Sequence, residues 1–495
     1  MLVKIVVTFV MTPVLVSNLG NYDYGIWEIL AAIVGYMGLL DFGMKPTIVR
    51  FSSKYLAENS PEDLRILYST AWVFMFAVGG VVFLFFIGWA ILWVDLLSVD
   101  ADQQYRYSLL LILIGFQVFV SFPGYVAEGF LEGFQEFKRK NNISIFYLIS
   151  TSAIVYALIT PSNGIILLAT VSAAGFFIKY LHFAVLLTST TYGNLWPNPL
   201  RASITTFMNT ARFGFKALVQ GVAHTIESGT DTLVIGYFLG ASIVPFYAIP
   251  ANLINYIKNV GWTLTQAFMP LFTTMHAQNQ IKELQEVYIG ASRYVIALLM
   301  PVCVGATLLG GPFIGLWVGE QYQNEADLII LLLAIYVAYP LLNPFSVRYL
   351  IAIGAHGLLA KITTVGAIMN IALSIALVES WGIAGVALGS VIPTIIIMPV
   401  ILKVCCDHLG ISVVTYLNKS ILPSIVPITL MGVCLYILRI SWHLDSYSEI
   451  AFSVLIGAAI YTILFYTIGM SSSERTWLLS KIGGVRLAGI FRGRW

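Results

Sequence analysis

VSNLGNYDYGIW, residues 16–27, and GYFLGASIVPFY, residues 236–247, decide how this chain is read. A shift of 220 places Leu19-Gly20 on Leu239-Gly240, Tyr68 on Tyr288 and Ala71 on Ala291. A shift of 221 places Pro123, Gly133 and Lys140 on Pro344, Gly354 and Lys361. One of 218 lays NGIILLATVS (163–172) over WGIAGVALGS (381–390), matching Gly164, Ile165, Ala169 and Ser172. Single matches are cheap in apolar sequence. A near-constant offset across six helices predicts an internal duplication.

Working outward, apolar runs of spanning length fall at 2–19, 25–43, 68–94, 107–130, 143–160, 164–187, 214–239, 243–270, 289–318, 327–353, 359–378, 382–404, 420–440 and 448–469. The chain is 59% hydrophobic and 10% charged, against about 25% charged for a soluble domain. A soluble protein of this length needs a polar surface that this composition does not supply. A β-barrel would show alternating segments of about 10 residues instead. The expected fold is therefore an all-α membrane protein of fourteen transmembrane helices. Six helices per repeat is an even number, so both halves enter the membrane in the same direction. Two six-helix bundles are then expected around a pseudo-two-fold axis along the membrane normal, with two extra C-terminal helices. The expected divisions are an N-terminal lobe (1–190), a linker (191–213), a C-terminal lobe (214–406), helices 13 and 14 (407–470) and a basic tail (471–495).

Charge sets the expected sidedness. Most of the 26 Lys and Arg residues fall in the even-numbered loops and the tail, as Lys54, Arg65, Lys138, Arg139 and Lys140 do. The odd-numbered loops hold acids such as Asp95, Asp100, Asp102, Glu320, Glu325 and Asp327. Both termini are expected to be cytoplasmic. Cys303, Cys405, Cys406 and Cys434 lie inside or at the ends of apolar runs, with neither a disulfide framework nor zinc spacing. Asn142-Ile-Ser144 and Asn418-Lys-Ser420 match glycosylation sequons but fall in loops read as cytoplasmic, so both are chance matches. No small-residue cleavage site follows the first run, so no cleavable signal peptide is expected.

Polar residues inside apolar runs are the candidate site. In the eighth run Asn252, Asn255, Asn259, Trp262 and Gln266 recur at spacings of 3, 4, 3 and 4, with Lys258 at the edge of the stripe. Amides can serve helix–helix hydrogen bonds. The accompanying lysine favours lining of a cavity. In the seventh run His224, Glu227 and Asp231 share one face; they read either as a packing contact or as a site for a cation or proton. Lys179, three residues before His182, and Arg348, in NPFSVRYL after two prolines expected to kink the tenth run, either snorkel or meet an anionic head group. Asp41 and Lys45 are spaced to pair. Lys45 and Arg50, at the inner mouth of the second run, are further candidates to receive an anion.

The pattern P-x-L-V-x-N-L-G-x-x-x-Y-G-I-W (13–27), then GYMGLLDFGM (35–44) and VRFSSKYLA (49–57), resembles the polysaccharide (O-antigen type) flippases. These belong to the multidrug/oligosaccharidyl-lipid/polysaccharide exporter superfamily. DTLVIGYFLG (231–240) resembles the start of that family's C-terminal lobe. The resemblance implies a V-shaped pair of bundles working by alternating access. It implies a prokaryotic plasma-membrane protein that moves oligosaccharide on a polyprenyl pyrophosphate from the inner to the outer leaflet, with helices 13 and 14 offering the lipid tail an apolar groove. A polysaccharide polymerase and chain-length machinery are candidate partners, and Na⁺ or H⁺ candidate coupling ions. No cofactor, metal or nucleic acid is expected.

Two rivals stand beside this reading. A small-molecule exporter of the same superfamily usually needs twelve helices. A membrane polymerase or ligase would carry a large outer loop with Arg or His, whereas the outer loops here are short and acidic. There is also no phosphate-binding glycine loop or ATPase motif.

Overall fold

A computed structural model describes residues 2–92, 103–189, 194–442, 444–472 and 474–476. The chain divides into two compact units, Met1–Pro245 and Phe246–Trp495. The first holds α1 (Leu2–Met37), α2 (Met44–Ala57), α3 (Pro61–Leu92), α4 (Gln104–Gly133), α5 (Phe137–Leu158), α6 (Gly164–Leu187) and α7 (Ile204–Phe238). From the unit boundary onward follow α8 (Val244–Gln266), α9 (Met269–Ala277), α10 (Ile281–Trp317), α11 (Gln323–Leu341), α12 (Ser346–Ala352), α13 (His356–Leu409), α14 (Val413–Tyr416), α15 (Leu422–Ser441) and α16 (Tyr447–Leu464).

Ten stretches among the described residues are long and apolar enough to cross a membrane. Two of them are double, because α1 breaks at Gly20 and α13 at Gly382. The more polar α7 and α8 complete the fourteen helices that the apolar runs predict. The chain is a multi-pass membrane protein.

The duplication is also written in the backbone. Gly20 (φ 71°, ψ 174°) and Gly240 (φ 89°, ψ 159°), one offset of 220 apart, share a conformation open in practice to glycine alone. Asn59 and Asn279 both lie in the left-handed region, at φ 52° and 55°. They follow α2 and α9, which end at Ala57 and Ala277. Tyr68 and Tyr288 are both fully buried. A Cβ on Gly20 would meet nothing within 4 Å, so Gly20→Ala isolates the conformational cost. It is expected to lower stability by about 1–3 kcal/mol, read as a reduced melting temperature of the purified protein.

In the first unit α3, α4 and α6 enclose an aromatic and aliphatic core that includes Met75, Phe86, Phe122, Phe130 and Phe183. Asp23, on α1 just past the Gly20 break, is buried. It accepts from Arg106 Nη2 at 2.5 Å and from the Tyr107 hydroxyl, which ties α1 to the start of α4.

In the second unit the pair α15–α16, which has no counterpart in the duplication, is fastened along α10. The Arg439 guanidinium pairs with Asp327 on α11 and donates to the Leu308 carbonyl at 2.9 Å. Tyr461 donates to the Ala297 carbonyl at 2.6 Å, and Tyr447 to that of Leu316 at 2.9 Å. Arg293 meets Glu474 at 3.0 Å and also donates to the Gly469 carbonyl. An open apolar groove of about 450 Å³ runs between α10, α11 and α15, lined by Cys303, Val304, Leu308, Leu331, Ile335 and Val433 among others.

Candidate functional site

Each unit carries charged side chains within or beside its spanning helices, some paired with an opposite charge and some seated on aromatic rings. In the first unit Lys45, at the start of α2, reaches across to α4. Its Nζ lies 3.0 Å from Glu128 Oε1 and 3.2 Å from Glu132 Oε1. Lys140, from the first turn of α5, meets the same carboxylates at 3.5 and 2.9 Å. The quartet closes on itself, two cations against two anions. The pairing of Lys45 with Asp41 expected from their spacing is not made among the described residues. Asp41 instead accepts from the Gly43 amide at 2.7 Å, where the chain turns between α1 and α2. A lysine at the first turn of a helix has a long reach, and two acids one turn apart on α4 outcompete one held in a turn.

Burial works against the Lys45 charge, but Glu128 and Glu132 outweigh it and hold the ammonium above the ordinary lysine value of 10.5. A raised lysine value means that its stabilisation is complete below pH 10.5 and is lost as pH rises through the folded-state value. The melting-temperature gap between the native chain and Lys45→Met is therefore expected to stay constant from about pH 6 to 9 and to narrow only in stronger alkali. A gap that closes near neutral pH would contradict the pairing.

Lys179, on α6, is different. Its Nζ sits over the rings of Phe176 and Tyr180, 4.3 and 4.1 Å from their centroids, and has no carboxylate partner within salt-bridge reach among the described residues. Its neighbour His182 lies 3.4 Å from the Tyr147 hydroxyl. Arg50 is exposed on α2, beside the Phe51 ring.

The second unit assembles most of the predicted stripe. Asn255, Asn259, Trp262 and Gln266 lie exposed along α8, with Asn252 half-buried. None of the four amide side chains makes a hydrogen bond among the described residues. Lys258 Nζ donates to the Tyr336 hydroxyl of α11 at 3.0 Å and lies 4.8 Å from that ring's centroid.

Arg348 comes to this stripe from α12. The expected proline kink is a complete break between α11 and α12, with Pro344 in the gap and Pro340 in the last turn of α11. The break turns Arg348 so that its guanidinium carbon stacks 3.5 Å from the centre of the Trp262 ring. Arg348 is 6% exposed. It makes no ion pair among the described residues, and its buried Nη2 has no hydrogen-bond partner. The structure thus brings Arg348, Trp262, Lys258 and the α8 amides into one neighbourhood of the second unit.

On α7, Asp231 is half-buried. The side chains of His224 and Glu227 lie outside the described residues, as do Asp95, Asp100, Asp102 and tail residues 477–495. Sequence reasoning missed Glu128 and Glu132 as partners of Lys45, and Tyr336 and Trp262 as seats for Lys258 and Arg348. The spacing of Glu128 and Glu132, one turn apart and just before Lys140, was the available signal for the first group. Nothing in the sequence pointed to Tyr336.

Fourteen helices with a duplicated order define a membrane protein of the multidrug/oligosaccharidyl-lipid/polysaccharide exporter fold. The solved structure of the lipid II flippase MurJ, in an inward closed conformation, is similar over 93% of this chain and 95% of its own, with a TM-score of 0.72 and 14% identity. An inward-facing multidrug resistance MATE transporter is similar over 82% of this chain and 94% of its own, with a TM-score of 0.66 and 13% identity. The chain belongs to the polysaccharide biosynthesis protein family, whose model matches residues 14–327. It is 24% identical over 381 residues, 76% of its length and 88% of the relative's, to a Shigella flexneri protein described as an O-antigen transporter.

Proposed function

We propose that this chain is a flippase. It carries oligosaccharide repeat units on a polyprenyl pyrophosphate from the cytoplasmic to the outer leaflet, by alternating access, for surface polysaccharide synthesis. The observation that carries this reading is the buried guanidinium of Arg348, which has no counter-ion among the described residues. Burying an unpaired charge costs several kcal/mol, and stacking on an indole returns only about 0.5–2 kcal/mol. A group kept at that cost is suited to an anion that arrives and leaves, and arginine's fork matches phosphate oxygens. The exposed amides of α8 suit sugar hydroxyls beside it. Within the first unit Lys179 and Arg50 are proposed as anion contacts in their own right, while Lys45 is occupied by Glu128 and Glu132; within the second, the groove between α10, α11 and α15 is proposed as a seat for the lipid tail.

The role assigned to the chain is transport, with no catalytic step. Both termini are proposed to be cytoplasmic, on the distribution of Lys and Arg. His224, Glu227 and Asp231 are proposed to couple transport to H⁺ or Na⁺. Membrane lipids and a polysaccharide polymerase with its chain-length machinery are the proposed partners.

Deletion in the native cell, followed by sidedness labelling of lipid-linked glycans, tests the function. Complete repeat units are expected to accumulate on the cytoplasmic leaflet while polymer is lost. Units that reach the outer leaflet and stay unpolymerised would point to a polymerase instead. Unchanged lipid-linked glycans would favour export of a small molecule, a reading to which the MATE-like fold lends support. The smaller share of this chain that the MATE structure covers, 82% against 93% for MurJ, weighs the other way.

A further inference from the structure

One helix of the second unit is cut where its counterpart in the first is whole. α4 runs through Pro123 without interruption, yet the aligned Pro344 lies in the gap between α11 and α12. The residue aligned with Arg348 at that offset is Ala127, so the break accompanies the buried guanidinium. A break strands backbone carbonyls that an unbroken helix would satisfy. The Ser346 amide, which would serve Leu342, turns to the Asn343 carbonyl at 3.3 Å, where the Ser346 hydroxyl also donates at 2.8 Å. The Leu342 carbonyl takes the Tyr416 hydroxyl instead, at 2.9 Å. From α10, the Tyr288 hydroxyl donates to Asn343 Oδ1 at 2.6 Å. Tyr416 and Tyr288 are fully buried, with ring centroids 5.9 Å apart.

Tyr416 ends α14, and a π-helical turn, Leu417–Ile421, leads from it into α15. We propose that Tyr416 is a positioning residue for Arg348. By holding the Leu342 carbonyl it fixes the break, and so α14, the short helix that leads into α15, sets the aim of the guanidinium. Tyr288 secures the same break from the other side. The inference rests on the reading of Arg348 as the contact for substrate phosphate, and it gives α14 a part in recognising the head group.

The test uses the purified full-length chain in detergent, titrated with inorganic pyrophosphate. Binding is followed by the fluorescence that Trp262→Phe abolishes, because Arg348 stacks on that indole. Tyr416→Phe keeps the ring and removes one hydroxyl. It is expected to weaken pyrophosphate binding by about fivefold, as is Tyr288→Phe. Tyr461→Phe is the control. It removes a like hydroxyl-to-carbonyl bond, from α16 to the Ala297 carbonyl of α10 and away from the break. Its affinity is expected to match the native chain even where its melting temperature falls as far. Native affinity in Tyr416→Phe overturns the inference, as does equal weakening in Tyr461→Phe, which would mark a general loosening. A native chain with no Trp262-dependent response would overturn the phosphate reading of Arg348, and the positioning role with it.

Discussion

Arg348→Ala is expected to cut transport at least about tenfold at unchanged membrane levels. A hydrogen bond to a charged group is worth about 1.5–3 kcal/mol, and each 1.4 kcal/mol is about tenfold in affinity. Arg348 Nη2 already lies buried without a hydrogen-bond partner among the described residues, so removing the side chain is expected to forfeit contacts to an incoming anion. The fold itself loses the stack on Trp262 but no ion pair among the described residues. Arg348→Lys is expected to recover only part of the activity, since a lysine keeps the charge but neither stacks flat on Trp262 nor presents a planar fork. Complementation of a deletion strain, with lipid-linked glycans counted on each leaflet and expression checked by blot, reads the effect. Full complementation by Arg348→Ala would remove Arg348 from the site.

The second large effect is on stability. Asp23 is 7% exposed and carries both Arg106 and the Tyr107 hydroxyl. Asp23→Ala leaves a half-buried arginine without its counter-charge, a loss of about 3–5 kcal/mol. Asp23→Asn retains a hydrogen-bond acceptor without the charge, so its loss is expected to fall between native and alanine. Thermal unfolding of the detergent-solubilised protein separates the three. Equal melting temperatures for the native chain and Asp23→Ala would show that the cluster does not hold α1 to α4.

The helices were legible because hydrocarbon thickness forces about 20 apolar residues into each span, and the duplication because two copies keep the same glycines. Gly20 and Gly240 announced themselves as matched letters, and their shared positive φ explains why both had to remain glycine. The partners of the buried charges were less visible. Lys45 lies 83 residues before Glu128 in the chain. Its local neighbour Asp41 was the nearer choice by spacing, and only the packing of α2 on α4 decides between them. Two prolines in NPFSVRYL and just before it foretold a bend at Arg348. They did not say that the bend becomes a break, nor that it delivers the guanidinium to an indole on α8. The amide stripe could be read from its period alone, because a shared face follows from the spacing along one helix.

Arg106 and Asp327 stand 221 residues apart, at matching points on α4 and α11, and they carry opposite charges. As the chain leaves the ribosome, the first copy folds before α15 exists. When Arg439 arrives, Asp327 offers it an opposite charge and becomes its partner in the folded protein. At the matching point of the first copy Arg106 is already engaged with Asp23 and would repel a second arginine. Exchanging Arg106 and Asp327 is therefore expected to strip Arg439 and Asp23 of their partners at once, read as a lowered melting temperature.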